Sequence, residues 1–148
     1  GLVLDLDAGI KGSYPGTGSI WTDVSNNGNN GTLTSGSAYT RSDYGAIVFD
    51  GVDDYIGTTG IQTPSFSISA WINLSELNRF HGIMGRAAGI WSDTSYAFRV
   101  VIIGGYAYSN GLSYLLKGQL PSLQFYNRAL TASEVLQNFN AYRTRYGI

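Results

Sequence analysis

Ala46-Ile47-Val48-Phe49-Asp50-Gly51-Val52-Asp53-Asp54-Tyr55-Ile56 is the stretch from which the rest of the chain is read. The apolar, β-branched run Ala46–Phe49 suits a strand. Asp50-Gly51 breaks it, because glycine accepts positive φ without steric cost and aspartate bonds its own backbone. A second run opens at Tyr55-Ile56. The pattern predicts strand, tight turn, strand, with a hairpin as the simplest form. Three carboxylates, Asp50, Asp53 and Asp54, crowd the turn.

The same grammar extends in both directions. Twenty Gly and eleven Tyr stand against three Pro and one Met. Turn residues recur roughly every 8–12 positions, which predicts an all-β chain. Strands are expected at Leu2–Asp7, at the short anchor Ile20-Trp21, from Thr32 and at Ala46–Phe49. Further strands are expected at Tyr55–Gly57, Ser65–Asn73, Gly82–Arg86, Tyr96–Ile103 and Leu120–Tyr126. Ser65–Asn73 alternates most cleanly: Phe66, Ile68, Ala70 and Ile72 share one face, and Ser67, Ser69, Trp71 and Asn73 the other. Asp23–Gly31 reads as a loop ordered by its own Asx side chains. Near the C-terminus the period changes. Thr131 followed by Glu134 matches a capping box, and Val135, Leu136 and Phe139 fall on one helical face. Arg143 and Arg145 complement the helix dipole, and Gly147 is a stop signal. One short helix is therefore expected to close a β chain.

Composition narrows the function classes. A chain of 148 residues fits one domain, 1–148. With 13% charged residues and a net charge of −1, it offers neither the basic face that nucleic acid needs nor a polybasic membrane patch. It has no cysteine, which excludes disulfides, thiolate metal sites and a cysteine nucleophile. No apolar run approaches the roughly 20 residues of a membrane span. The opening GLVLDLDAG does not read as a signal peptide.

Four segments together resemble a known group. They are Gly1–Leu33, Ala46–Ile56, Phe66–Ile72 and Phe125–Ile148, the last reading FYNRALTASEVLQNFNAYRTRYGI. The chain resembles the laminin-G-like, concanavalin A-like jelly-roll domains found in structural proteins of tailed bacteriophages. The resemblance implies a two-sheet antiparallel jelly-roll sandwich with a convex back and a concave front. It also implies a non-enzymatic structural or adhesive role on a phage particle, as capsid decoration or a tail or fibre component, exposed on the virion surface. Partners would be other virion proteins, with a homo-trimer as one arrangement. A secreted or cell-surface setting is the alternative localisation. The chain departs from the group after Phe66–Ile72, where the middle is short by a hairpin or more. Pro121-Ser122 also stands where an acidic pair is usual. Both departures imply a smaller sheet with an edge that a partner covers.

The residues bear on three chemistries. Glycan cleavage needs two carboxylates about 5–9.5 Å apart across a bond. Only Glu76 and Glu134 are glutamates, Glu134 is explained by capping, and Asp5 and Asp7 alternate on a terminal strand. The one histidine, His81, lies in an expected loop without a nucleophile motif. The expectation is no enzyme, with a glycan-cleaving activity as the weakest alternative. For Ca²⁺, which takes six to eight oxygens, Asp23 and Asp53 are the candidate ligands. Turn capping by the same side chains is the alternative, so a structural Ca²⁺ is the one cofactor these residues suggest. A carbohydrate-binding face recognising a host glycan would use Trp71, Arg99 and Tyr126, an aromatic platform with polar groups. The alternative is that Trp71 packs under a loop or under the C-terminal helix.

Overall fold

The computed structural model describes residues 1–85, 98–108 and 111–148. It is a two-sheet, all-antiparallel β-sandwich with one short C-terminal helix. The strands are β1 (Leu2–Asp7), β2 (Ile20–Trp21), β3 (Gly31–Thr34), β4 (Ala38–Thr40), β5 (Ala46–Asp50) and β6 (Tyr55–Thr63). They continue with β7 (Ser67–Leu74), β8 (Met84–Gly85), β9 (Phe98–Ile103), β10 (Tyr106–Tyr108), β11 (Gly111–Ser113) and β12 (Lys117–Tyr126). The helix α1 spans Ala132–Arg143. The strand β4 and the β10–β11 hairpin carry too few apolar residues to announce themselves in the sequence. Tyr96 and Ala97 of the expected strand Tyr96–Ile103, and Arg86 of the expected strand Gly82–Arg86, lie outside the described residues.

The first sheet is built on β12. Along one edge β12 pairs with β5 at Lys117–Leu120 and with β1 at Ser122–Tyr126; along the other it pairs with β7. The strand β4 extends β5. The second sheet runs β2-β3-β6-β9-β8. The opening stretch therefore folds differently from the simple expectation. The strands β5 and β6 do not pair with each other; β5 belongs to the first sheet and β6 to the second. Asp50-Gly51 makes an arch between sheets and not a hairpin. Its carboxylates cap the arch: Val52 N–H donates to Asp50 Oδ1 at 2.7 Å and Asp50 N–H to Asp54 Oδ2 at 2.9 Å. Those backbone groups are satisfied locally, so the two strands are free to part.

The core lies between the sheets. Leu4 and Leu6, Ile47 and Phe49, Leu120, Leu123 and Phe125 face Trp21, Ile56 and Ile103, all fully or almost fully buried. In β12 the register against β7 shifts between Gln119 and Ser122. This bulge, at Pro121, moves the inward set from Leu120 to Leu123 and Phe125, and turns Gln119, Ser122 and Gln124 outward. Pro is tolerated there because a bulge relaxes the ladder.

Candidate functional site

The site is best approached through the edges of the two sheets, because an unpaired edge is a template for another strand. The outer edge of β1 is covered by the loop after β2. Asp23 accepts the N–H of Asp5 and of Ser25 on Oδ1 and that of Asn29 on Oδ2, each at 2.9 Å. Val24 N–H donates to Asp5 O at 2.9 Å, and Ser25 and Asn29 side chains donate to Val3 O. The Asx-rich loop thus acts as a polar seal along β1. Burial pushes the Asp23 carboxyl up, but the bonds from Ser25, Asp5 and Asn29 outweigh it and hold the pKa low. The other outer strands β2, β4 and β8 have two, three and two residues.

The strand β7 differs. It has eight residues, none charged, and its second edge pairs with no strand among the described residues. Apolar grooves flank it on both faces. The inner groove, about 740 Å³, has Ile68, Ala70 and Ile72 on one wall and Phe80, Met84 and Tyr114 on the other. The outer groove, about 630 Å³, lies between Ser67, Ser69 and Trp71 and the helix residues Val135 and Phe139. Phe80 and Tyr114 meet edge to face at 5.8 Å, and Phe80 is 79% exposed. Phe66 stacks on Phe125 at 5.7 Å. His81 lines the inner groove, and its ring is engaged on both sides. Lys117 N–H donates to Nδ1 at 3.2 Å, which leaves Nε2–H to donate to Glu76 O at 3.0 Å. It ties the loop after β7 to β12.

The glycan-face residues do not converge. Trp71 is covered by the C-terminal segment: Tyr146 lies 4.7 Å away, Phe139 stacks at 5.8 Å and 17°, and Tyr142 tilts at 6.4 Å. Tyr126 is beneath the same helix, where its hydroxyl accepts from Asn138 Nδ2 at 2.9 Å. Arg99 belongs to β9 in the other sheet, and its side chain lies outside the described residues. Of the two readings for Trp71, packing under the helix is the arrangement found. What remains beside it is a small cavity of about 240 Å³, lined by Tyr44, Trp71, Gln119 and Tyr146.

The carboxylates of β1 are under the same cover. Arg145 donates to Asp7 Oδ2 at 2.7 Å, and Gly9 N–H to Oδ1 at 2.9 Å. Gln124 Nε2 donates both to Asp5 Oδ1 at 3.1 Å and to Tyr142 OH at 2.6 Å. Burial raises the Asp5 pKa, the Gln124 bond opposes it, and the neighbours Asp7 and Asp23 add to the rise. These acids anchor the C-terminal segment.

Of the two Ca²⁺ candidates, Asp53 joins Asp50 and Asp54, whose carboxylate oxygens lie within 4.8 Å of one another. Asp23 is not part of that group, and its oxygens are committed to backbone N–H groups. The trio offers hard oxygen donors of the type Ca²⁺ takes. Burial, with the Asp50 and Asp53 charges, raises the Asp54 pKa, although the Asp50 N–H bond opposes the rise. Two of the three acids already serve the arch.

The sequence pattern contained the apolar face of β7 but not its status as an edge, and nothing in it pointed to Phe80 or Tyr114 as the opposite wall. The alternation of Phe66, Ile68, Ala70 and Ile72 was the one available signal. Set against protein-family models, curated proteins and solved structures, the chain matches none. The strand topology by itself defines the class: an all-β, two-sheet sandwich in which, among the described residues, β7 pairs along one edge. Among the described residues no helix is long and apolar enough to cross a membrane.

Proposed function

We propose that the chain is a non-enzymatic structural or adhesive module that acts through protein contacts, of the kind its resemblance implies for a tailed-phage particle. The observation that carries the reading is the β7 edge, with an apolar groove on each face and Ile68 and Phe80 left 39% and 79% exposed. Contiguous exposed apolar surface of this kind marks interaction sites. The test is co-sedimentation of the chain with particles of the phage that encodes it, through a density gradient. The expected result is a fixed stoichiometry that Ile68→Asp abolishes. A chain that never sediments with particles overturns the virion assignment.

Glycan recognition is the second reading. It is favoured by the aromatic row Tyr44–Tyr146–Trp71 around the small cavity, with ring centroids 6.4 and 4.7 Å apart. Aromatic faces with adjacent amides suit sugar C–H surfaces and hydroxyls. The control on a glycan array is Tyr44→Ala, because Tyr44 is exposed whereas Trp71 holds the helix. Binding that Tyr44→Ala removes supports this reading, and a blank array overturns it.

A further inference from the structure

We infer that Asn27 is a site of spontaneous deamidation and that its conversion releases the loop that seals β1. The inference is independent of the protein-contact reading above.

An asparagine followed by glycine is the pairing most prone to this reaction, because glycine has no side chain to shield its backbone nitrogen or restrict its rotation. Such steps occur at Asn27, Asn30 and Asn110. Asn110 lies outside the described residues. The other two share one loop, and the fold treats them differently.

Asn30-Gly31 is held. Asn30 Oδ1 accepts the N–H of Asp23 at 2.9 Å. Gly31 is buried and opens β3, paired with Trp21 on one side and Thr58 on the other. A β-carbon there would lie 2.6 Å from Ile56 Cγ2, so the peptide is packed against the core. Asn27-Gly28 is open. Both residues are exposed, and a β-carbon on Gly28 would meet nothing within 4 Å. The backbone takes positive φ on either side, 69° at Asn26 and 73° at Gly28, and neither residue belongs to a strand. The Asn27 side chain is tied through its nitrogen: Nδ2 donates to Leu2 O at 3.2 Å and to Ser25 Oγ at 2.8 Å. The Gly28 peptide can therefore turn toward Asn27 Cγ, whereas that of Gly31 cannot turn without leaving its strand.

The step is hydrolytic and redox-neutral. The Gly28 amide gives its proton to solvent base, and its nitrogen attacks Asn27 Cγ. A C–N bond forms, the Cγ–Nδ2 bond breaks, and ammonia leaves with the returned proton. Water then opens the succinimide at either carbonyl, giving aspartate or isoaspartate. The nitrogen that leaves is the one that holds the loop. In its place a carboxylate oxygen faces Leu2 O, acceptor against acceptor, with no proton to donate. The isoaspartyl form also adds a methylene to the main chain ahead of Asn29, whose N–H and side chain bond Asp23 Oδ2 and Val3 O. The polar seal along β1 then loosens at Leu2 and Val3, and the edge beneath it becomes available for pairing.

The full chain, incubated at mildly alkaline pH, is expected to yield a more acidic species on ion exchange, since the product adds one negative charge to a net −1. Peptide mapping is expected to place the change at Asn27 and to find Asn30 intact over the same period. Asn27→Gln, whose longer side chain disfavours the ring, is expected to block it. In the separated product, and in Asn27→Asp, amide exchange across Leu2–Leu6 is expected to quicken about tenfold, the effect of one lost hydrogen bond. Asn30 converting as fast as Asn27 in the folded chain overturns the inference, as does an Asn27 that converts only in urea. Conversion that leaves exchange across Leu2–Leu6 unchanged in both forms overturns the release of the loop.

Discussion

Arg145 and Asp7 form the tightest electrostatic contact between the C-terminal segment and the first sheet. The Asp7 side chain is 2% exposed and that of Arg145 20%, so solvent screens the pair little. Arg145→Gln leaves a buried carboxylate without its cation and is expected to cost about 3 kcal/mol, read by urea denaturation. Gly9 has room only for hydrogen there, because a β-carbon would strike the Arg145 guanidinium and Tyr44 O. At the arch, Gly51 sits at φ +79°, and a β-carbon would lie 2.7 Å from Lys117 Cβ. Gly51→Ala is expected to destabilise by roughly 1–2 kcal/mol for the left-handed backbone alone. Gly57→Ala, with open space, is the control. Asp53 makes no hydrogen bond within the arch, so Asp53→Asn is expected to leave the Tm in EDTA unchanged. A Tm that rises with Ca²⁺, and no longer does so in Asp53→Asn, would assign the trio to a cation.

At the scale of the element, α1 is a helix with a well-made start and a thin interface. Thr131 and Glu134 form the capping box, and Arg128 pairs with Glu134. The Arg128 bond, helped by those from Thr131, draws the Glu134 pKa down to about 2. The expected apolar face does not bury: Val135 and Leu136 are 55% and 58% exposed, and no α1 residue is buried. The reason is the surface beneath, where Asp5, Ser122 and Gln124 turn outward, so the helix docks through aromatic rings and polar ends. Tyr142 is central to that docking. Burial, with the Asp5 and Asp7 charges, raises its pKa above the ordinary 10.0. In the unfolded chain the phenol ionises at the lower value. Its contribution is therefore complete below pH 10 and is lost as pH rises through the folded-state pKa. Far-UV circular dichroism is expected to show alkaline loss of helix above pH 10. Tyr142→Phe, which keeps the ring but has no proton to lose, is expected to flatten that loss.

For the whole molecule, a charged fraction of 13% and a net charge of −1 leave little for salt to screen. Association through the apolar grooves beside β7 is therefore expected to change little between low and high NaCl in the co-sedimentation measurement. A steep salt dependence would point to a different surface. Much of the sandwich was legible in advance. Alternation marked β1, β5 and β7, and Thr131 with Glu134 marked the start of α1. These signals are local, carried by side-chain periods and by one hydroxyl–carboxylate spacing. The site was less legible. Trp71 looked like an outward platform because period 2 says only that it opposes Ile72, and the ring from Tyr146 arrives from 75 residues further along the chain. What the amino-acid order by itself determined is most of the strands, though not β4, β10 and β11, together with the single helix and the break at Asp50-Gly51. Tertiary structure alone decided that this break is an arch between sheets, that the C-terminal segment covers Trp71, and that β7 pairs along one edge among the described residues. Those outcomes depend on which strands become neighbours, and strand pairing is settled by burial over the whole core and not by any residue's local preference.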